Sequence, residues 1–381
     1  MRRHWTSDAV VLTMLTSLLL VFGLVMSFSA SFVEAATAGD PFGVFRRQAT
    51  FAVLGTIAFA AAARMPHIWW RRLAWPMIAT TLVALVLVLV PGIGIERFGS
   101  TRWIGVGPLA VQPTEFAKLA VVLWLGDVYE RKRPRDGALH DVDHLLVPAL
   151  PLLGLVGVLV MLQPDLGTAI ILALIVGAVL WIEGLPARYL AVLAAVVGVA
   201  GLLLAVVAPY RLARIAGWLA PEEDPLGSGF QLLQSRYALG SGGIFGVGLG
   251  ESRGKWNFVP NPETDFIFAI IGEELGLLGT LLVVVLFAMV LVFGYRVAFR
   301  VPDGFGRAVA FTITTWIVGQ ALINISTVTG LLPITGVTLP LVSVGGSSLF
   351  VTLAALGILV SMARTAPHSR RQSATAGKGS S

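Results

Sequence analysis

The sequence has no cysteine and only five histidines. The first absence excludes disulfide frameworks, thiol nucleophiles and cysteine metal sites. The histidines are scattered and form no His-Glu-x-x-His pattern, so no zinc site is expected. Charge is scarce as well: Asp, Glu, Lys and Arg make up 13% of the 381 residues, against about 25% in a soluble globular chain. Apolar residues are 56% of the chain, and mean hydropathy is +0.85. This composition excludes an ordinary soluble domain and predicts an all-α polytopic membrane protein.

Apolar runs long enough to cross about 30 Å of hydrocarbon fall near residues 9–29, 48–63, 74–91, 113–129, 146–162, 167–183, 189–208, 266–295, 308–328 and 347–363. They predict ten transmembrane helices in a single domain over residues 1–363. The first run reads as an uncleaved helix rather than a signal peptide, because so many spans follow it. A net charge of +6 does not point to nucleic acid, because the basic residues sit in short loops between spans, where they set topology. Most of them, including Arg2, Arg3, Arg64, Arg71, Arg72, Arg131, Lys132, Arg296 and Arg300, fall on the amino-terminal side of a ten-span chain. Both termini are therefore expected in the cytoplasm. The loop over residues 209–264 is then outside, and it is far longer than a usual connection. Its aromatic residues, Trp218, Phe230 and Trp256 among them, predict order. The tail over residues 364–381 reads as disordered and cytoplasmic.

The stretch from Gly254 to Gly276 organises the rest. It turns at two prolines, presents Glu263 and Asp265 at the mouth of an apolar run, and carries Glu273 and Glu274 two turns deeper. An ionisable group at such a place marks a functional site by default. Three spans open in the same style, with Gln112-Pro113-Thr114-Glu115, Gln163-Pro164-Asp165 and Asn261-Pro262-Glu263-Thr264-Asp265. Proline and acids in a first turn are ordinary helix-start chemistry, yet three such ends on one membrane face can also build a common cavity that favours anions. Lys118 follows Glu115 on the same helical face; the two either neutralise one another or face a ligand together.

Asp265 has two readings, a helix cap or a general base made effective by partial desolvation. Glu263 is assigned mainly to the helix start. Glu273 and Glu274 lie about 100° apart on a helix, so at most one shares the groove of Asp265, and the other binds a neighbouring helix. The uncharged segment from Gly330 to Ser348 folds as a re-entrant piece or a stiff turn capped by Ser347. The hydroxyls of Ser347 and Ser348 are candidates for binding sugar or phosphate. Gly246 to Gly250 lacks the spacing of a dinucleotide loop, and Gly254-Lys255 is not a P-loop.

Five strings then carry a family resemblance: GSTRWIGVGPLAVQPTEFAKLA (Gly99 to Ala120), QPDLGTA (Gln163 to Ala169), QSRYALGSGGIFGVGLGES (Gln234 to Ser252), TDFIFAIIGEELG (Thr264 to Gly276) and LPITGVTLPLVSVGGSS (Leu332 to Ser348). In that order, over most of the chain, they resemble the SEDS proteins of bacterial shape, elongation, division and sporulation. The resemblance implies a ten-helix peptidoglycan glycosyltransferase. It would polymerise lipid II, an undecaprenyl-diphosphate-linked disaccharide peptide, beside a class B penicillin-binding protein and other divisome or elongasome membrane proteins. It places the family's essential aspartate on Asp265, its Glu/Lys pair on Glu115 and Lys118, and a further acid on Asp165. Gly-Leu-Gly-x-Ser followed by Lys255 is more similar to the division branch than to the elongation branch. Val344 stands where relatives have tyrosine, and no histidine precedes Thr264-Asp265.

In the resulting hypothesis Asp265 takes a proton from the acceptor sugar hydroxyl, which displaces the donor's diphosphate-lipid with inversion. Lys118, Arg102, Arg236 and Lys255 are expected to stabilise the leaving diphosphate. A divalent cation, Mg or Mn, is an expected companion, and no organic cofactor is expected. Two other classes remain open, a lipid II flippase and a scaffold that binds partner membrane helices.

Overall fold

The computed structural model describes residues 5–37, 39–97, 100–105, 110–133, 142–207 and 209–365. The expected ten spans correspond to α1 (Ser7–Thr37), α2 (Gly43–Arg64), α3 (His67–Val88), α4 (Pro113–Lys132), α5 (Val142–Met161), α6 (Leu166–Ile182), α7 (Ala187–Val207), α10 (Ile267–Arg300), α11 (Gly304–Thr329) and α12 (Gly346–Ala363). The long loop carries α8 (Pro209–Leu219) and α9 (Phe230–Ser241), so it is ordered. Between α3 and α4 the strands β1 (Ile95–Arg97) and β2 (Ser100–Trp103) pair antiparallel, with Glu96 opposite Thr101. The tail expected to be disordered lies, from residue 366 on, outside the described residues.

The helices reach further than the apolar runs. Helix α3 starts at His67 rather than near residue 74, taking in Trp69, Trp70, Arg71 and Arg72. Such aromatic and basic residues suit the membrane interface, where a helix continues past the hydrocarbon. Among the described residues six helices are each long and apolar enough to span a membrane unaided, and α6 and α7 are shorter apolar helices. Helix α4 is different: it carries Glu115, Lys118 and Asp127, all buried. It can do so because α3, α6, α11 and α12 surround it and shield it from lipid.

Buried charges at the amino-terminal face are paired, as their desolvation requires. Asp8 lies 3.2 Å from Arg296 and 2.6 Å from Arg300. Asp127, wholly buried, takes Arg71 at 3.2 Å and Arg131 at 2.6 Å.

Helix α10 is broken, which the uninterrupted apolar run does not reveal. Gly276 adopts φ 66°, ψ −159°, a conformation that a side chain would strain. In an intact helix the amides of Leu277 and Leu278 would bond the carbonyls of Glu273 and Glu274. Instead those carbonyls accept from Val247 at 2.9 Å and Gly248 at 3.1 Å, while Leu277 and Leu278 donate to Gly243 at 2.9 Å and Ile244 at 3.3 Å. The glycine-rich part of the long loop before α10 thus replaces one turn of helix hydrogen bonds. Irregular backbone near membrane depth survives only when protein satisfies it in this way.

Candidate active site

The starts of α4, α6, α10 and α12 meet at the face that also carries α8 and α9. Each was expected to use helix-start chemistry, but they differ. Asp165 is a true cap of α6: it accepts from the Thr168 amide at 3.1 Å and the Thr168 hydroxyl at 2.8 Å. Its second oxygen also accepts from the Gln112 side chain at 3.2 Å, and Arg102 stands 3.7 Å from the first. Asp165 therefore ties α6 to the start of α4 and to β2.

Helix α10 has no side-chain cap; its N-cap residue is Phe266. The capping role offered to Asp265 is not taken up, nor is the one assigned to Glu263. Glu263 enters the fold through its backbone, whose carbonyl accepts from the Val344 amide at 2.8 Å. The cap expected from Ser347 fails too. Gly345 is the N-cap of α12, without a side-chain bond, and the Ser347 hydroxyl accepts from the Gln112 amide at 3.0 Å, tying α12 to α4. Ser348 is half-buried in the same first turn.

The segment from Gly330 to Gly345 is folded inward as a re-entrant piece and positions the turn before α10. Asn324 donates to the carbonyls of Asp265 and Val337, both at 2.7 Å, and the Ser343 hydroxyl donates to the Thr264 carbonyl at 2.6 Å. Gln48 of α2 brackets the end of the segment, donating to Ser343 and accepting from the Gly345 amide. Gly336, at φ 71°, faces the Asp265 carboxylate; a Cβ there would lie 3.5 Å from Oδ2. On the other side of the segment, Gly167, two residues past Asp165, packs against Thr335 and Val337.

Asp265 is half-buried. Burial pushes its carboxyl up to about 6, Arg214 and Arg102 oppose the rise, and Asp165 adds to it. Burial also pushes Glu263 up to about 7, its own backbone amide opposing, with Glu34 and Asp265 adding to the rise. Asp265, Asp165, Arg102 and Arg214 thus share one electrostatic neighbourhood.

Glu115 and Lys118 pair at 2.7 Å and are both buried. The Lys118 ammonium also donates to Gln320 Oε1 at 3.2 Å and lies 5.3 Å above the Trp316 ring. Gln320 in turn donates to the Thr338 carbonyl at 3.0 Å. The pair is therefore linked to the re-entrant segment, and in this conformation Lys118 is committed to protein partners.

Lys255 requires a correction. It was expected at the leaving diphosphate, but it is buried, 3.3 Å from Glu274, and also donates to the Gly250 carbonyl. Glu274 further accepts from Ser29 of α1 at 2.7 Å. Glu273 accepts from Ser252 at 2.5 Å, from the Arg253 amide at 2.9 Å and from the Gly254 amide at 3.1 Å. Both acids fasten the long loop to the helices, so neither lines the groove of Asp265. Arg236 is exposed and lies over Gly330, at the carboxyl end of α11.

Sequence reasoning missed Arg214, Gln320, Asn324 and Gln48. Gln320 and Asn324 had a readable signal, two amides four residues apart inside an apolar span, hence on one face. Arg214 is placed by Trp218, one turn later on α8, whose indole donates to the Gly330 carbonyl at 3.0 Å. Nothing local in sequence shows that link.

The family model described as "Cell cycle protein", which groups FtsW, RodA and SpoVE, matches residues 9–368. The chain is 42% identical over 361 residues to "Stage V sporulation protein E" of Bacillus subtilis, covering 94% of this chain and 98% of that protein. It is 38% identical to the "Probable peptidoglycan glycosyltransferase FtsW" of Geobacter metallireducens, covering 93% and 94%. Its fold is similar to a chain of a peptidoglycan synthase complex, with TM-score 0.75, 32% identity and coverage of 93% and 96%. It is also similar to RodA of Thermus thermophilus, with TM-score 0.68, 29% identity and coverage of 92% and 95%. By matched length and by sequence the chain belongs to the FtsW, RodA and SpoVE family of polytopic membrane proteins.

Proposed function

We propose that the chain is a peptidoglycan glycosyltransferase of the division type that polymerises lipid II at the outer face of the cytoplasmic membrane, with both termini in the cytoplasm. The clustering of Arg71, Arg131, Arg296 and Arg300 at the face opposite the site supports that orientation. The observation that carries the enzymatic reading is Asp265: a half-buried carboxylate not used as a helix cap, held by its backbone, and near two arginines.

In this reading the ionised Asp265 takes the proton from the acceptor hydroxyl as its oxygen bonds the donor's anomeric carbon. The bond from that carbon to the diphosphate breaks, and the lipid diphosphate leaves with the electron pair and two phosphates' charge. Inversion follows from attack opposite the leaving group. A base whose pKa lies close to the working pH suits this task. Arg102, anchored by the Gln163 and Pro164 carbonyls at 2.9 and 2.6 Å, and Arg214, carried on α8, stabilise the departing anion. Lys118 and Glu115 hold α4 against α11 and so fix the wall of the cavity.

Among the described residues no group of three acidic or histidine side chains is arranged to hold a metal, and the oxygens of Asp165 are already occupied. Mg or Mn enters the proposal only as a companion of the substrate diphosphate, a setting in which Mg commonly uses one or two carboxylates. The likeness to a synthase complex supports a penicillin-binding protein, here of class B, as the partner.

Purified protein given lipid II, with glycan length read on a gel, tests the function. Glycan chains from the parent and none from a folded Asp265→Ala protein are expected. A parent that moves lipid II across vesicles without polymerising it overturns the reading in favour of transport.

A further inference from the structure

A second concavity lies far from Asp265, at the amino-terminal face between α3, α4 and α5. Its volume is about 580 Å³, within the range of about 300–1,000 Å³ of ligand clefts. The walls are apolar, built from Trp75 of α3, Trp124 and Val128 of α4, and Pro151 and Leu155 of α5, and two cations, Arg131 and Lys132, stand at the end of α4. No acid lines it.

The charge at this mouth is not cancelled from beneath. Arg131 reaches Asp127 at 2.6 Å, yet its side chain stays 61% exposed. The same carboxylate also accepts from Arg71 and from the Trp75 indole, each at 3.2 Å. One buried acid is thus shared by two arginines, and Lys132 adds a third positive charge, itself exposed. Trp75 and Trp124 meet edge to face at 5.6 Å, the kind of aromatic pair that belongs at the membrane interface. An apolar trough that ends at paired cations matches the two halves of a phospholipid, an acyl chain and an anionic headgroup. Basic pockets between transmembrane helices on the cytoplasmic side recognise anionic lipids in this way.

We propose that this groove is a binding site for one anionic phospholipid of the leaflet at the amino-terminal face. The phosphate meets Arg131 and Lys132, and an acyl chain lies along Trp124, Val128, Pro151 and Leu155. The inference needs no chemistry at Asp265. Its name for the leaflet, cytoplasmic, rests on the orientation proposed above.

The test uses the full chain, purified from equal phosphatidylglycerol and phosphatidylcholine, with retained lipids counted by native mass spectrometry. The parent should retain one phosphatidylglycerol in preference. Removing both cations, Arg131→Gln with Lys132→Gln, should lower that preference about 30-fold, from roughly 1 kcal/mol for each basic residue. Leu155→Trp, which fills the groove from its lipid-facing side, should lose the retained lipid. Thermal unfolding of each variant reports its fold, and Lys132→Gln alone, away from Asp127, serves if the double variant unfolds. A parent without preference, a double variant that keeps it, or a Leu155→Trp protein that still holds the lipid overturns the site. A parent that retains no phosphatidylglycerol yet polymerises lipid II counts against this inference alone, and a parent that retains it yet does not polymerise counts against the proposed activity alone.

Discussion

The side-chain amide of Asn324 donates to the backbone carbonyl of Asp265 at 2.7 Å, and with its other hydrogen to Val337 at 2.7 Å. One amide on α11 therefore fixes both the turn that carries the carboxylate and the re-entrant segment that faces it. Asn324→Leu keeps the heavy-atom count and branching and removes both donors, leaving two carbonyls short of a partner at a cost of about 1–3 kcal/mol each where buried. The larger effect is on geometry, since displacing a reacting group by about 1 Å lowers rates on the order of 100-fold. The expected outcome is a folded protein whose lipid II polymerisation falls roughly 10- to 100-fold. A parental rate would separate the Asn324 link from catalysis.

Polymerisation should depend on pH through Asp265. A general base works only when ionised, and burial pushes this carboxyl up to about 6. The rate should therefore rise with pH up to about 6 and level off above it, falling about tenfold for each unit below. Arg214 holds the value down, so Arg214→Gln should move the midpoint to higher pH as well as slow the reaction. Rates measured from pH 5 to 8 on both proteins check this, and a flat profile for the parent counts against Asp265 as the base.

The same shift predicts a conflict between stability and activity at one residue. The folded state raises the Asp265 carboxyl above its ordinary value of 3.8, so the ionised form is disfavoured by folding. Asp265→Asn removes that penalty. Above pH 6 the inactive variant should unfold at a higher temperature than the parent, and the difference should vanish below about pH 4, where the carboxyl is neutral in both states.

The buried Glu115 and Lys118 pair joins α4 to α11 through Gln320. Lys118→Met leaves Glu115 buried without its cation, which costs about 3–5 kcal/mol. Glu115→Gln with Lys118→Met removes both charges and should recover most of that stability. Polymerisation should stay well below the parent in the double variant, because the bond from Lys118 to Gln320 is also lost. Thermal unfolding beside the gel assay distinguishes the two effects.

Much of the fold was legible because hydropathy is a local signal. Ten spans, order in the long loop and the convergence of the Gln112, Asp165 and Asp265 helix starts could all be read from runs and motifs. What escaped depended on tertiary contacts. The break at Gly276 exists because a loop thirty residues upstream offers hydrogen bonds to α10, and an apolar run looks the same with or without it. Lys255, ten residues before Asp265 in sequence, is expected from the sequence as one of the cations at the leaving diphosphate. In space the descent of α10 brings Glu274 to it instead.

That last relationship gives a prediction that separates fold from catalysis. If Lys255 and Glu274 only fasten the long loop to α10 and α1, breaking the pair from one side should destabilise the protein by about 3–5 kcal/mol. Lys255→Met leaves Glu274 with the Ser29 hydroxyl alone and should lower the unfolding temperature. Lys255→Met with Glu274→Gln removes both charges of this pair, so it should restore stability and polymerise lipid II within about threefold of the parent. If the double variant is stable yet inactive, Lys255 meets the substrate during turnover and the structural assignment of this pair is overturned. The Glu115 and Lys118 double variant is the matched comparison. Both pairs are buried and of equal charge, but only Glu115 and Lys118 are joined, through Gln320, to the segment that faces Asp265.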